Sequence, residues 1–174
     1  MVERRIVSEV LLLTYRFISF TNRSELPLNH LIESEEQWQE FVLAFESGTL
    51  PKEAWTHQAH FIVGLWFVLK HSSNEALDLL RNKIRSYNEA TGGHNSDTSG
   101  YHETLTRLYV VGISDFINQQ SRTGVELLAA LLAAPITKKS WPLQFYSRER
   151  LMSVEARRTW ITPDLAPLAN DCFE

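Results

Sequence analysis

A chain of 174 residues is long enough for a single domain to bury its own core without disulfide or metal staples. With 44% hydrophobic and 22% charged residues, it lies outside the polar, highly charged range of disordered chains. The formal net charge of −4 lacks the basic surplus that attracts phosphate backbones, which argues against nucleic acid as a partner.

Residues 1–30 read as an amino-terminal extension of a single helical domain spanning 31–174. The stretch "MVERRIVSEVLLLTYRFISF" is interrupted by Glu9 and Arg16 and is followed by no small-residue cleavage site, so it reads as mature sequence. Only residues 5–20 suggest a strand pair. No apolar run reaches the ~18 residues needed to cross a bilayer, which argues against membrane insertion and for a cytoplasmic location. The lone Cys172, near the end of the sequence, excludes an internal disulfide and a multi-cysteine zinc site.

In "SEEQWQEFVLAFESG", Trp38, Phe41, Val42 and Phe45 fall at helical spacing, Ser34 and Gln37 suit a capping box, and Gly48 lies just past the end. Pro51 suits the first turn of a second helix through "EAWTHQAHFIVGLWFVLKH", which is apolar on every side and therefore central. Ser72 and Glu75 cap a third helix with an inward stripe of Leu77, Leu80, Ile84 and Tyr87, and Gly92 stops it. The polar loop "HNSDTSG" leads into a fourth helix, "YHETLTRLYVVGISDFINQQ", with Leu105, Leu108, Tyr109, Gly112 and Phe116 inward. "GVELLAALLAA", stopped by Pro135, and "SRERLMSVEARR", capped by Ser147, are shorter. The expected fold is all-α: an antiparallel bundle of four main helices plus shorter carboxy-terminal ones.

"WTHQAH" places His57 and His60 three residues apart in an apolar helix, about 60° apart in projection and so on one face. Glu53, four residues earlier, extends that face. "GYHETLT" places His102 and Glu103 in the first turn of the fourth helix, with His102 in line with the inward positions. Three imidazoles from two helices suit a mononuclear zinc or iron(II) site with an open position. Glu103 is then a ligand, an orienting group or the general base for metal-bound water. His94 in the polar loop is a candidate fourth ligand or lid residue, or simply a solvated one. His71 closes its helix, where a cation complements the dipole, and His30 has no suggestive neighbours. Thr106 stands where the zinc-protease motif H-E-x-x-H requires its second histidine, and too few carboxylates accompany the histidines for a di-iron site.

Gly64 and Gly112, inside the two histidine-bearing helices, predict a close crossing there. Lys138, Lys139, Arg148, Arg150, Arg157 and Arg158 outnumber the acids around them. Most of that charge reads as a solvated face, but an arginine turned towards the histidines would suit an anionic substrate.

The blocks "WTHQAH", "NSDTSGYHET" and "SRERLMSVEARRTWITPDL" resemble those of a family of small bacterial proteins, over roughly residues 32–168. The resemblance implies a helical protein with a histidine cluster at His57, His60, His102 and Glu103, and carries no activity with it. Three functional expectations follow from the residues. The first is a metal-dependent, water-activating or hydrolytic enzyme acting on a small molecule. The second is a non-catalytic binding or interaction protein with structural histidines, His102 serving as a helix cap. The third is an iron(II) oxygenase.

Overall fold

The computed structural model describes residues 32–169 and Phe173, and among these there is helix and no strand. The expected extension over 1–30, and the strand pair expected within it, lie outside the described residues.

The first helix, α1 (Glu35–Glu46), starts where Ser34 Oγ accepts a hydrogen bond from the Gln37 N–H at 3.3 Å. The reciprocal half of the expected capping box is displaced by one residue, because Gln37 Oε1 accepts from the Glu33 N–H instead. Trp38, Phe41, Val42 and Phe45 are all buried.

The second helix begins later than the sequence pattern suggests. Pro51 initiates only a 3-10 turn over Lys52–Ala54; α2 (His57–Lys70) then begins afresh behind Thr56, whose Oγ accepts from the Ala59 N–H at 3.3 Å. A threonine offering its own cap competes with continuation of the helix from upstream. Glu53 is therefore off the helix and does not extend the His57 face. The rest of α2 is central as expected: Ala59, Phe61, Ile62, Val63, Gly64, Leu65 and Phe67 are buried. It packs against α1, α3 (Ser73–Ala90), α4 (Glu103–Asn118) and α5 (Gly124–Ala133).

Both halves of the Ser72–Glu75 capping box form on α3, and Leu77, Leu80, Ile84 and Tyr87 are buried. Gly64 lies where a β-carbon would sit 3.0 Å from Ile113 Cδ1 of α4, so the two helices approach closely there and a side chain at this position would push on the Ile113 methyl. Gly112 serves a different neighbour. A β-carbon there would meet Ile136 and the Trp141 ring at 2.5 and 2.6 Å, so this glycine admits the carboxy-terminal segment rather than α2.

That segment builds a second core. The expected single helix over "SRERLMSVEARR" is two short ones, α6 (Arg148–Leu151) and α7 (Val154–Arg158), because Ser153 caps the latter by accepting from the Ala156 N–H at 3.1 Å. Leu108 of α4 packs with Tyr146, Leu151, Ala156 and Ile161, separately from the main core. Thr104, wholly buried, donates to the Thr159 carbonyl at 2.8 Å and accepts from the Ile161 N–H at 3.3 Å. α4 is thus covered on one side by the helical bundle and on the other by the carboxy-terminal layer. No helix among the described residues is long and apolar enough to cross a membrane.

Candidate functional site

A cavity of about 350 Å³ opens between the bundle and the carboxy-terminal layer, at the low end of the range for small-molecule sites. Its buried wall is apolar and includes Phe61, Gly64, Leu80, Ile84, Val110, Ile113 and Leu151. Its accessible lining includes His60, Gly100, Lys139, Arg148 and Met152. No aspartate or glutamate contributes to the lining.

His57 and His60 both line this cavity. As the first and fourth residues of α2 they sit at the positive end of a helix dipole, which disfavours the imidazolium form. His57 Nε2 lies 2.9 Å from the Thr137 carbonyl, and His60 Nδ1 lies 2.8 Å from the Thr56 carbonyl. A carbonyl oxygen only accepts, so the proton is on Nε2 of His57 and on Nδ1 of His60. In the neutral rings this leaves a bare lone pair on His57 Nδ1 and on His60 Nε2, neither of which has a hydrogen-bond partner among the described residues.

Desolvation lowers the pKa of both. For His57 the Thr137 carbonyl opposes the shift and the Lys139 charge adds to it. His60 keeps accessible surface although protein surrounds it, since that surface faces the cavity; burial pushes its pKa down to about 4, against the Thr56 carbonyl and with help from His57. Both rings are neutral at neutral pH. Aromatic neighbours fix them: Trp55 lies against His60 at 4.1 Å between centroids, and Phe61 meets His57 edge-on at 5.2 Å. Tyr109 completes this wall, stacked on Trp141 at 5.6 Å, with its phenol pushed up to about 12 by burial.

His102 and Glu103 belong to a different constellation. His102 precedes α4 as its N-cap, rather than lying in its first turn. Its Nδ1 accepts from the Leu105 N–H at 3.3 Å, and its Nε2–H faces the Leu151 carbonyl at 3.0 Å. Both nitrogens are committed, and the ring touches the cavity only as wall. Its pKa is lowered, by burial first, against the Leu151 carbonyl.

Glu103 is buried and does not line the cavity. Arg81 grips it bidentately, Nε to Oε2 at 2.9 Å and Nη2 to Oε1 at 2.7 Å, and the Tyr101 hydroxyl donates to Oε2 at 2.9 Å. Burial pushes the carboxyl upward, but the Arg81 and Tyr101 hydrogen bonds and the charges of Arg81 and Arg85 outweigh it, and the net shift is downward. Asp78 holds the other side of Arg81. This is a structural carboxylate, ionised and fully engaged, and placing it beside a reacting water would require dismantling the cluster.

The expected three-imidazole centre is therefore not assembled in this geometry. Among the described residues no three His, Cys, Asp or Glu side chains are grouped to hold a metal. The donor chemistry agrees: zinc or iron(II) would find two bare imidazole nitrogens where the expected site needs three protein ligands. His94 does not line the cavity.

The polar loop before α4 is a clasp. The Asn95 side chain accepts from Asn88 Nδ2 and the Tyr101 N–H, and donates to the Arg85 carbonyl and Glu89. Arg157 donates to the carbonyls of Gly100 and Tyr101, and Arg158 pairs bidentately with Asp97 at 2.8 Å. Gly100 takes φ +77°, a left-handed conformation that glycine allows without strain. Sequence spacing did not reveal that "NSDTSGY" and "EARR" are the two halves of one clasp. It did flag the basic segment that supplies Lys139 and Arg148.

The fold and site define an all-helical protein with a partly open apolar cavity beside its central helix. No known protein family, curated protein or solved structure matches the chain.

Proposed function

We propose that the protein binds a small, mostly apolar molecule, anionic at one end, in this cavity, and orients it by hydrogen bonds donated to the neutral imidazoles of His57 and His60. The observation that carries this reading is the pair of backbone carbonyls, Thr137 and Thr56, which fix each ring's proton on one nitrogen and leave the other as an acceptor in an apolar chamber. An acceptor that faces an apolar cavity and gains a donor only when ligand arrives rewards the right ligand and penalises one lacking that donor.

Magnitudes favour binding over proton-transfer catalysis. A general base works best with a pKa near the operating pH, whereas His60 yields its proton at about 4. A hydrolytic metal site loses support from the engagement of His102 and Glu103, which takes away the third ligand and the base together. What remains is a hydrogen-bonding role, to which basicity matters less.

The test is histidine-selective NMR during titration with a library of small apolar acids, alcohols and amides. Binders are expected to shift His57 and His60 ring signals saturably while leaving His102 still, and the His57→Gln/His60→Gln variant is expected to bind about tenfold more weakly or worse, a loss of roughly 1.4 kcal/mol. Binders that leave His57 and His60 unmoved, or a variant with unchanged affinity, overturn the reading. Titration with zinc chloride in the same experiment restores the metal reading if one equivalent moves all three histidines together.

A further inference from the structure

Most cations near the cavity already have partners. Arg81 holds Glu103 and Asp78, Arg157 holds the Gly100 and Tyr101 carbonyls, Arg158 holds Asp97, and Arg150 donates to the Thr162 carbonyl. Arg85 lies over the Tyr101 ring. Lys139 and Arg148 differ. Both line the cavity, both keep accessible surface, and neither side chain has a hydrogen bond, ion pair or ring contact with any described residue. They reach the opening from separate places, Lys139 from the stretch after the 3-10 turn Pro135–Thr137 and Arg148 from the first turn of α6. Both cations line one cavity whose lining holds no acid, and that favours an anion there.

We propose that this opening is a carboxylate anchor: the ligand is a small, mostly apolar monocarboxylic acid with one hydroxyl or N–H donor for His57 and His60, its carboxylate held between Lys139 and Arg148 and its body lying against Phe61, Val110 and Ile113. This rests on the cavity being a ligand site and adds which chemical group occupies its mouth. A planar carboxylate matches the guanidinium fork, and an ammonium supplies the second charge without demanding a direction. A phosphoryl group is less well served, because the mouth offers two side chains and no cradle of backbone N–H groups of the sort that stabilises a dianion. The apolar wall sets the other half of the specificity, since it satisfies no second charge and no string of hydroxyls.

Calorimetric titration at neutral pH and low salt with 4-(4-hydroxyphenyl)butyrate and the corresponding alcohol and amine, which share the phenol donor, on the full chain and on its Lys139→Gln/Arg148→Gln variant, decides the matter. Because both side chains are exposed and unpartnered among the described residues, the variant is expected to melt at the same temperature as the parent. The acid is expected to bind the parent about tenfold or more tightly than the alcohol, with the amine weakest. In the variant the acid is expected to fall to the alcohol's affinity while the alcohol is unchanged, and added salt is expected to weaken only the acid's binding to the parent.

Equal binding of acid and alcohol to the parent, or an acid affinity untouched in the variant, overturns the carboxylate anchor and leaves the apolar ligand site standing. Displacement of the acid by inorganic phosphate but not by acetate overturns it in favour of a phosphoryl ligand. Absence of binding by all three probes, with His57 and His60 unmoved in the NMR titration, overturns both proposals.

Discussion

Two histidine clusters flank the cavity, and they use the same side-chain chemistry to opposite ends. At the His102–Glu103 end each polar atom has a protein partner: a helix amide, the Leu151 carbonyl, the Arg81 fork and the Tyr101 hydroxyl. At the His57–His60 end one nitrogen of each ring is spent on a threonine carbonyl and the other is left over. The first cluster stabilises; the second has bonding capacity to offer. A residue's type and spacing do not distinguish the two cases, but an account of its hydrogen-bond partners does.

The strongest way to break that comparison is at Glu103. Its replacement by glutamine removes the charge that Arg81 faces, and because Glu103 is buried while Arg81 remains partly exposed, the expected loss is roughly 2 to 3 kcal/mol, below the full cost of breaking a wholly buried pair. The lowered carboxyl pKa gives the loss a pH signature. The stabilisation is present above the ordinary carboxyl value of 4.5 and disappears as pH falls through the folded-state value, so the parent and Glu103→Gln should converge in acid. Urea melts at a series of pH values measure both. A midpoint unmoved at neutral pH would show that the ion pair contributes nothing.

His102→Ala comes next. It strips the cap from α4 and a buried hydrogen bond from Leu151, each worth about 1 kcal/mol, for an expected total of roughly 2 kcal/mol. His102→Asn should recover the cap's share, as asparagine is a preferred cap residue. Chemical denaturation of the two variants side by side reads the difference, and equal loss in both would contradict the capping role.

The smallest effect on stability is expected at His60. His60→Gln should cost no more than about 0.5 kcal/mol at neutral pH, because the ring faces the cavity and one nitrogen has no partner to lose. It should nevertheless change the pH dependence. Because the folded ring resists protonation, the unfolded chain gains the proton first: stability is full above the ordinary value of 6.5 and declines as pH falls from there towards about 4. Thermal melts across that window should show a shallower decline in His60→Gln, and parallel curves would contradict the depressed ring.

Much of the helical plan was legible. The Ser72–Glu75 box, the stripe from Leu77 to Tyr87 and the all-round apolarity of α2 are local patterns, and they formed as read. Besides the start of α4, which falls after His102, two boundaries were not read correctly, at Thr56 and Ser153, although each cap residue was in plain view. A capping hydroxyl inside an apparently continuous helix poses a choice between two nearly equal local structures, and the neighbouring elements make it. Among the site residues, His57 and His60 do share a chamber and Arg148 turns towards it, whereas His102 faces the core for a reason other than metal binding.

Most of the helical plan follows from periodicity, caps and breakers, which act over a few residues and need no distant partner. Packing between distant segments settled which polar atoms were already spoken for. The Thr137 and Leu151 carbonyls that use one nitrogen of His57 and of His102 lie 80 and 49 residues away in the chain, and Arg81, which holds Glu103, lies 22 away. Hydrogen bonds between distant segments are set by how the helices and the carboxy-terminal layer pack, and a spacing rule along one helix cannot register them.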